Sequence, residues 1–300
     1  MNDVKQQPFA AFAVALVGIL ALSTMDAVMK GLSQDIGAFA TMCWRAVLAA
    51  SLLAIPYLVT RKKWPTRRAM RFHILRGLLM IPMSFLFFWG LARTPMAQAI
   101  ALTFVAPLIA LVLAALFLSE PVGKRMASGS FLAFAGVVLI FIGQGRADLG
   151  PDALKGSIAI LGSAICYAFN IVVMRRQAQN AGPMEIAFLQ FVVTGLGFWV
   201  IAILVGAPTY PTGHESALLL ATLLSIAGML LLAWAYARAG AAYLSATEYS
   251  GFVYAMILGW LLFQERVSPW TLTGAVLIIG GCVVAARTRQ LPHPTLETSA

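Results

Sequence analysis

Trp89-Gly90-Leu91-Ala92-Arg93-Thr94-Pro95-Met96-Ala97 recurs 145 residues later as Trp234-Ala235-Tyr236-Ala237-Arg238-Ala239-Gly240-Ala241-Ala242. The overlay continues without a gap, laying Trp89 to Val138 on Trp234 to Val283. It also pairs Leu113 with Leu258, Glu120 with Glu265, Val122 with Val267, Gly129 with Gly274 and Gly136 with Gly281. Composition bias explains matches of Ala and Leu in an apolar chain. It does not easily place Trp, Arg and Glu in one register. The two half-chains therefore carry one repeated unit.

The medium around that unit follows from composition. Of 300 residues, 61% are hydrophobic and 11% charged, whereas soluble domains are nearer ~45–50% and ~25%. Crossing a bilayer takes about 20 mainly apolar residues in a helix. Ten stretches qualify: 9–31, 38–59, 72–92, 96–118, 127–144, 156–174, 184–206, 216–237, 240–263 and 269–286. Lipid offers no partner for backbone groups, and the period-two alternation of a membrane barrel is absent, so the spans are read as helices. The first run is longer than a signal-peptide core and ends in Asp26 and Lys30, so it is read as a retained span. Loops are short, with turn residues such as Ser119-Glu120-Pro121 and the segment from Gly206 to Gly213. The expected fold is all-α and integral to the membrane, with ten transmembrane helices.

The net charge of +10 raises nucleic acid as a partner. Its densest run, Arg61, Lys62, Lys63, Arg67, Arg68 and Arg71, lies between two apolar stretches, where membrane proteins place cytoplasmic charge. Nucleic acid is therefore not expected, and membrane lipid is. With the N-terminus inside, the inner loops hold three times as many Lys and Arg as the outer ones, which carry Lys30, Arg93, Arg146, Lys155 and Arg266. Both termini are thus expected in the cytoplasm of a cell in which the chain sits, multi-pass, in the inner or plasma membrane. Five spans per repeat, an odd number, put equivalent positions on opposite faces. That inverted duplication recurs in secondary transporters, whose halves exchange conformations around a central site. A channel can share it.

Asp26 and Lys30 are one helical turn apart on the first span, and Ser23 shares their face. Arg45 on the second span is expected at similar depth. Ionisable groups inside spans are costly and face a partner or a wet cavity. Ser23, Asp26, Lys30 and Arg45 are therefore the leading candidate site for a carboxylate or zwitterion, with Asp26 a candidate for proton coupling. An ion pair that merely locks two helices would use the same residues. Glu248 is a second proton-coupling candidate, expected to be clamped near Gly251, Ala255 and Gly259, whose spacing marks close helix packing. Tyr243, Thr247, Ser250 and Tyr254 form a polar stripe on the same span.

A shift of 140 lays Ser23 on Ser163 and Lys30 on Asn170. It gives Ser163, Tyr167 and Asn170 as a facing stripe on the sixth span. Gln98 and Thr103 on the fourth span are further cavity candidates, with Pro107 and Pro82 expected to kink their helices. Glu120 and Glu265 fall at helix ends and are read as loop caps on opposite faces. Trp64, Trp89, Trp199, Trp234 and Trp270 lie near span ends as interfacial anchors do. His73, His214 and His293 fall in or near loops and the tail, and receive no role. Cys43, Cys166 and Cys282 are read as packing residues, with no metal-like spacing.

Three stretches resemble the drug/metabolite transporter superfamily in its ten-span EamA branch. They are Met25 to Lys30 followed by Trp44-Arg45, Ala99 to Leu108 running on to Leu116-Phe117-Leu118-Ser119-Glu120, and Leu261 to Glu265 with the following Gly274. The resemblance covers two EamA-like repeats, 12–143 and 156–286, with 287–300 as a short cytoplasmic tail. It implies a central cavity built from both repeats and transport of small metabolites such as amino acids, nucleotide-like cofactors, vitamins or drugs. The pattern is similar to members that move S-adenosylmethionine or riboflavin. A secondary active transporter working by alternating access is thus expected, with a small-molecule substrate, no cofactor and no metal. With a full pair of repeats a monomer suffices, and a homodimer is equally compatible. No G-x-x-x-x-G-K-[ST] motif is present to make ATP the direct energy source. The other classes are a membrane channel and a membrane-embedded enzyme. The enzyme lacks support from H-E-x-x-H or G-x-S-x-G.

Overall fold

The structure, a computed structural model, describes residues 3–61, 64–118, 124–146, 150–178, 181–239, 244 and 247–286. Among them every regular element is helical. In chain order they are α1 (Asp3–Leu32), a π-helical turn (Ser33–Gly37), α2 (Ala38–Thr60), α3 (Arg67–Leu91), α4 (Met96–Thr103), α5 (Ala106–Leu118), α6 (Lys124–Arg146), α7 (Gly150–Ala178), α8 (Pro183–Val205), α9 (Glu215–Tyr236), α10 (Ser250–Phe263) and α11 (Pro269–Ala286). Five helical stretches are long and apolar enough to cross a bilayer: Phe9–Thr60, Arg67–Leu91, Pro151–Ile171, Met184–Val205 and Glu215–Tyr236. Shorter apolar helices cover Met96–Ala110, Ala127–Gly143, Ser250–Phe263 and Pro269–Val284. The first stretch is divided at Gly37, whose φ of +84° is one that a residue without Cβ adopts freely. Large apolar side chains point outward, with Ile203 83% and Phe131 75% exposed, as lipid contact requires and water would not favour.

Sequence placed one continuous span over 96–118. The structure breaks it between α4 and α5. Pro107 has no N–H to give the Thr103 carbonyl, so the chain passes through tighter turns in which Val105 N donates to Leu102 O and Leu108 N to Val105 O at 3.4 and 3.1 Å. Pro82, by contrast, lies inside an uninterrupted α3.

Helix bounds repeat at the register of the opening motif. α2 and α8 start at 38 and 183, and α6 and α11 at 124 and 269. Packing repeats too. α6 lies against α11, where a Cβ on Gly136 would sit 2.5 Å from the Gly274 carbonyl and one on Gly281 would strike that of Gly129. Gly129 and Gly274 are equivalent in sequence, as are Gly136 and Gly281. The contact 129 to 281 therefore maps onto 274 to 136, as an internal two-fold demands. The pairs α1 with α9 and α3 with α7 are related in the same way. Gly90 meets Gly156 on one side, and Ala235 meets Ala11 on the other.

The packing also corrects the register of the first span. Gly18 abuts Gly228, and the positions 145 residues away, Ser163 and Met83, meet through a hydrogen bond from Ser163 Oγ to Met83 O at 2.7 Å. The shift is therefore 145 here as elsewhere, not 140. Ser163, Tyr167 and Asn170 are the counterparts of Gly18, Leu22 and Met25 rather than of Ser23, Asp26 and Lys30. A short polar match had outweighed the small-residue spacing that governs helix contact.

The opening motif forms the same local structure twice. Arg93 Nη1 donates to Trp89 O at 3.0 Å while its guanidinium lies 3.8 Å from the centre of the Trp89 ring. Arg238 repeats both contacts on Trp234, at 3.2 and 4.0 Å.

Candidate functional site

Asp26 on α1 and Arg45 on α2 lie deep among protein atoms and within electrostatic reach of each other. Both keep some accessible surface. Among the described residues neither is held by a direct ion pair, and Arg45 Nε is buried without a hydrogen-bond partner. The Arg45 guanidinium lies 5.7 Å from the Phe88 ring centre and 5.8 Å from that of Phe191, contacts that favour a cation. Gln190 on α8, the counterpart of Arg45, has a buried Oε1 that also lacks a partner. Buried polar groups in that condition are rare and call for a ligand or water. Ser23 is buried on α1, where it approaches Gly251.

Lys30 does not join Asp26 and Arg45. Its Nζ is drawn to the end of α1, where it pairs with the Glu265 carboxylate and donates to Thr94 O at 2.6 Å. Glu265 Oε2 accepts from Met96 N, the first N–H of α4, at 2.7 Å. Glu265 thus caps a helix as expected, yet its second oxygen holds the 2% exposed Lys30. The backbone explains how it reaches inward. Gln264 sits at φ +55°, and this left-handed turn lets Glu265 N donate to Gly259 O at 3.0 Å. The side chain then folds over Gly259, where a Cβ would meet Glu265 Oε2 at 2.7 Å. Glu120 lies outside the described residues.

At the other end of the bundle a polar chain crosses α3, α7 and α8. Arg76 Nε donates to Asn170 Oδ1 at 3.0 Å and Nη1 to Gln177 Oε1 at 2.9 Å. Gln177 then has only its amide N–H to give, which it donates to His73 Nδ1 at 2.8 Å. That leaves His73 Nε2–H as donor to Glu185 Oε1 at 2.9 Å. His73 and Gln177 are fully buried, so His73 is no loop residue, and Asn170 is engaged by Arg76.

Glu248 also departs from its expected place. It is exposed rather than clamped and accepts from Tyr236 Oη at 2.5 Å. The small residues do pack closely, Gly251 toward α1 and Gly259 toward α4, but Glu248 lies outside that seam. Tyr167 is within electrostatic reach of both Glu248 and Arg76. It is 41% exposed although deep in the bundle. Thr247 is buried and bonds Leu244 O at 2.6 Å, and Ser250 bonds Thr247 O at 2.6 Å. Both hydroxyls thus bond a backbone carbonyl three residues earlier. Gln98 Nε2 donates to Ser157 Oγ at 3.0 Å, and Thr103 Oγ1 to Ile100 O at 2.7 Å. Tyr254 is half-buried, and Tyr243 lies outside the described residues.

Asp26 and Arg45 thus lie within electrostatic reach of each other, as do Tyr167 and Glu248, while Lys30 is held elsewhere. Sequence reasoning missed Arg76, His73, Gln177, Glu185, Gln190 and Tyr236. Arg76 and His73 were hidden because both sit in the first turns of α3, where charge reads as loop.

The EamA-like transporter family profile matches residues 9–142 and 154–287. The chain belongs to the EamA-like transporter family. The pseudopaline exporter CntI of Pseudomonas aeruginosa is 25% identical over 287 residues, covering 92% of this chain and 96% of that one. The S-adenosylmethionine uptake transporter of Rickettsia bellii is 27% identical over 285 residues, covering 93% and 94%. A crystal structure of 22% identity shares the fold, with a TM-score of 0.60 over 94% of this chain and 99% of its own. This EamA protein is accordingly a multi-pass membrane transporter of small metabolites and not an enzyme.

Proposed function

We propose that this EamA protein is a secondary active transporter with ten spans in two inverted halves, set in the inner membrane with both termini cytoplasmic. It moves an amino-acid-like molecule, nucleotide cofactor or vitamin such as S-adenosylmethionine or riboflavin by alternating access. The observation that carries this is the internal two-fold between the glycines of α6 and α11, beside an interior Asp26 and Arg45 that form no ion pair among the described residues. Two halves of one fold, packed through small residues, can exchange conformations about the axis and open the cavity to each side in turn. In this orientation the Lys30–Glu265 pair closes the outer end and the Arg76–Gln177–His73–Glu185 chain the cytoplasmic end.

Asp26 and Arg45 offer a zwitterion both of the charges it needs, and Asp26 is positioned to carry a coupled proton. The named relatives include an exporter and an uptake transporter, which supports direction being set by gradients rather than by the fold. Purified protein in proteoliposomes is expected to show counterflow of a labelled compound from a panel of S-adenosylmethionine, riboflavin, amino acids and nucleosides. Asp26→Asn is expected to lower that flux at least tenfold and flatten its pH dependence. Linear, non-saturating flux would favour a channel instead. Single cysteines at Arg93 and Arg238, in a background lacking the three native ones, should react with an impermeant reagent from opposite faces. Labelling from one face would defeat the inverted arrangement.

A further inference from the structure

We propose that the start of α3 is a binding site for an acidic phospholipid, with Arg67, Arg68 and Arg71 on its phosphate and Phe72 and Leu75 against its acyl chains. The site lies on the outside of the bundle and does not depend on what the protein carries.

These five residues line one cavity of about 580 Å³. Among the described residues no carboxylate forms an ion pair with any of the three arginines, and the first turn of α3 holds no acid. A helix N-terminus carries partial positive charge, so three cations there oppose the helix dipole, and an anion relieves both. Thr66 Oγ1 accepts from Ala69 N at 3.2 Å. The N–H groups of Arg67 and Arg68 have no carbonyl one turn back to receive them. The repeat supplies a comparison within the same chain. Its counterpart helix, α9, has Glu215 in the first turn, and Thr212, Gly213 and Ser216 stand at the positions of Arg67, Arg68 and Arg71. The fold therefore builds this helix without the arginines, and their cluster needs another reason.

The apolar side of the cavity selects the source of the phosphate. Arg71, Leu75 and Leu78 are spaced i, i+4 and i+7 and share a face of α3. Leu75 is 47% and Leu78 53% exposed. A free phosphate gains nothing from that stripe. A phospholipid uses both parts. Its phosphate accepts from the guanidinium forks, and its chains follow the stripe as α3, long and apolar enough to cross a bilayer, runs inward. Arg61, just upstream of α3, stacks on the exposed Trp64 ring at 3.7 Å, and tryptophans of this kind sit at headgroup depth. Basic pockets beside membrane helices bind acidic headgroups in this way. Another face of the same turns carries His73 and Arg76 of the polar chain. A bound lipid therefore steadies the end of the helix on which that chain is built.

The test is native mass spectrometry of the full-length protein in detergent. It is titrated with phosphatidylglycerol, with phosphatidylethanolamine of the same chains, and with the soluble headgroup glycerophosphoglycerol. Phosphatidylglycerol should bind at least tenfold more tightly than phosphatidylethanolamine and raise Tm by mass action. Replacing Arg67, Arg68 and Arg71 together by Gln should weaken phosphatidylglycerol at least fivefold and leave phosphatidylethanolamine unchanged. Arg238→Gln, which removes an exposed charge elsewhere, should change it less than twofold. The three arginines are exposed, so the triple variant is expected to fold. Arg71→Gln alone, with a loss of about twofold to threefold, decides the matter where it does not. Equal binding of the two lipids, a preference that survives the arginine variants, or an equal loss in Arg238→Gln overturns the site. Displacement of the lipid by glycerophosphoglycerol or inorganic phosphate at the lipid's own concentration overturns it too, in favour of a soluble phosphate.

Discussion

Two equivalent seams of this bundle are sealed by opposite chemistry. Where α3 meets α7 and α8, the seam is His73, Arg76, Asn170, Gln177 and Glu185, joined by hydrogen bonds. The positions 145 residues away, where α9 meets α1 and α2, are Leu218, Ala221, Met25, Leu32 and Ala40, all buried, and four of the five lie in the main apolar core. The backbone obeys the two-fold, and the side chains do not. An apolar seam excludes water and holds by area. A polar seam holds by bonds that water or a substrate can replace one for one. The fold thus supplies two symmetric seams, and the side chains decide which of them is polar.

The comparison is broken most severely by writing the polar seam into the apolar one. Ala221→Arg puts a charge without a partner into a fully buried site. The expected outcome is no monodisperse protein on size exclusion, since an unpaired buried charge and overpacking together exceed about 5 kcal/mol. Next in size is the charge that this end does contain. Lys30→Met leaves Glu265 without its partner and should cost about 3–5 kcal/mol, read as a lower Tm. Lys30→Met with Glu265→Gln should recover part of that loss, because no buried charge then stands alone. A double variant as unstable as the sum of both singles would show that the pair is not coupled.

Smaller again is Gln177→Leu in the polar seam. It strips partners from Arg76 and His73 and should cost about 1–3 kcal/mol for each group orphaned. Adding His73→Leu should narrow the deficit and slow counterflow, because the polar seam then resembles its apolar counterpart. Unchanged flux in that double variant would remove the polar seam from gating. The smallest effect tests the symmetry itself. Arg93→Met and Arg238→Met each remove one guanidinium from one tryptophan face, worth about 0.5–1 kcal/mol at such exposed sites. The two losses should agree within about 0.5 kcal/mol.

Much of this was legible in the residues. The Trp-Arg repeat and the glycines at 129, 136, 274 and 281 located the two-fold, because small residues at a helix crossing leave a strict spacing in sequence. Asp26 and Arg45 stood out because charge inside a long apolar run is conspicuous. Lys30 was equally conspicuous, and its partner was not. A lysine stem reaches several ångströms, and the left-handed turn at Gln264 that delivers Glu265 leaves no mark in hydropathy. Glu248 misled for a related reason, since the residues next to it in sequence are not those it faces.

The amino-acid sequence alone determined that this protein is an apolar helical chain built from one unit twice, since periodicity, apolar length and repeat register are properties of the linear string. The tertiary structure decided which charges meet. Lys30 bonds across 235 positions to Glu265, and Arg76 across 94 to Asn170. Partners that distant are chosen by where helices cross and which way each side chain leaves its helix, and neither is written locally in the chain.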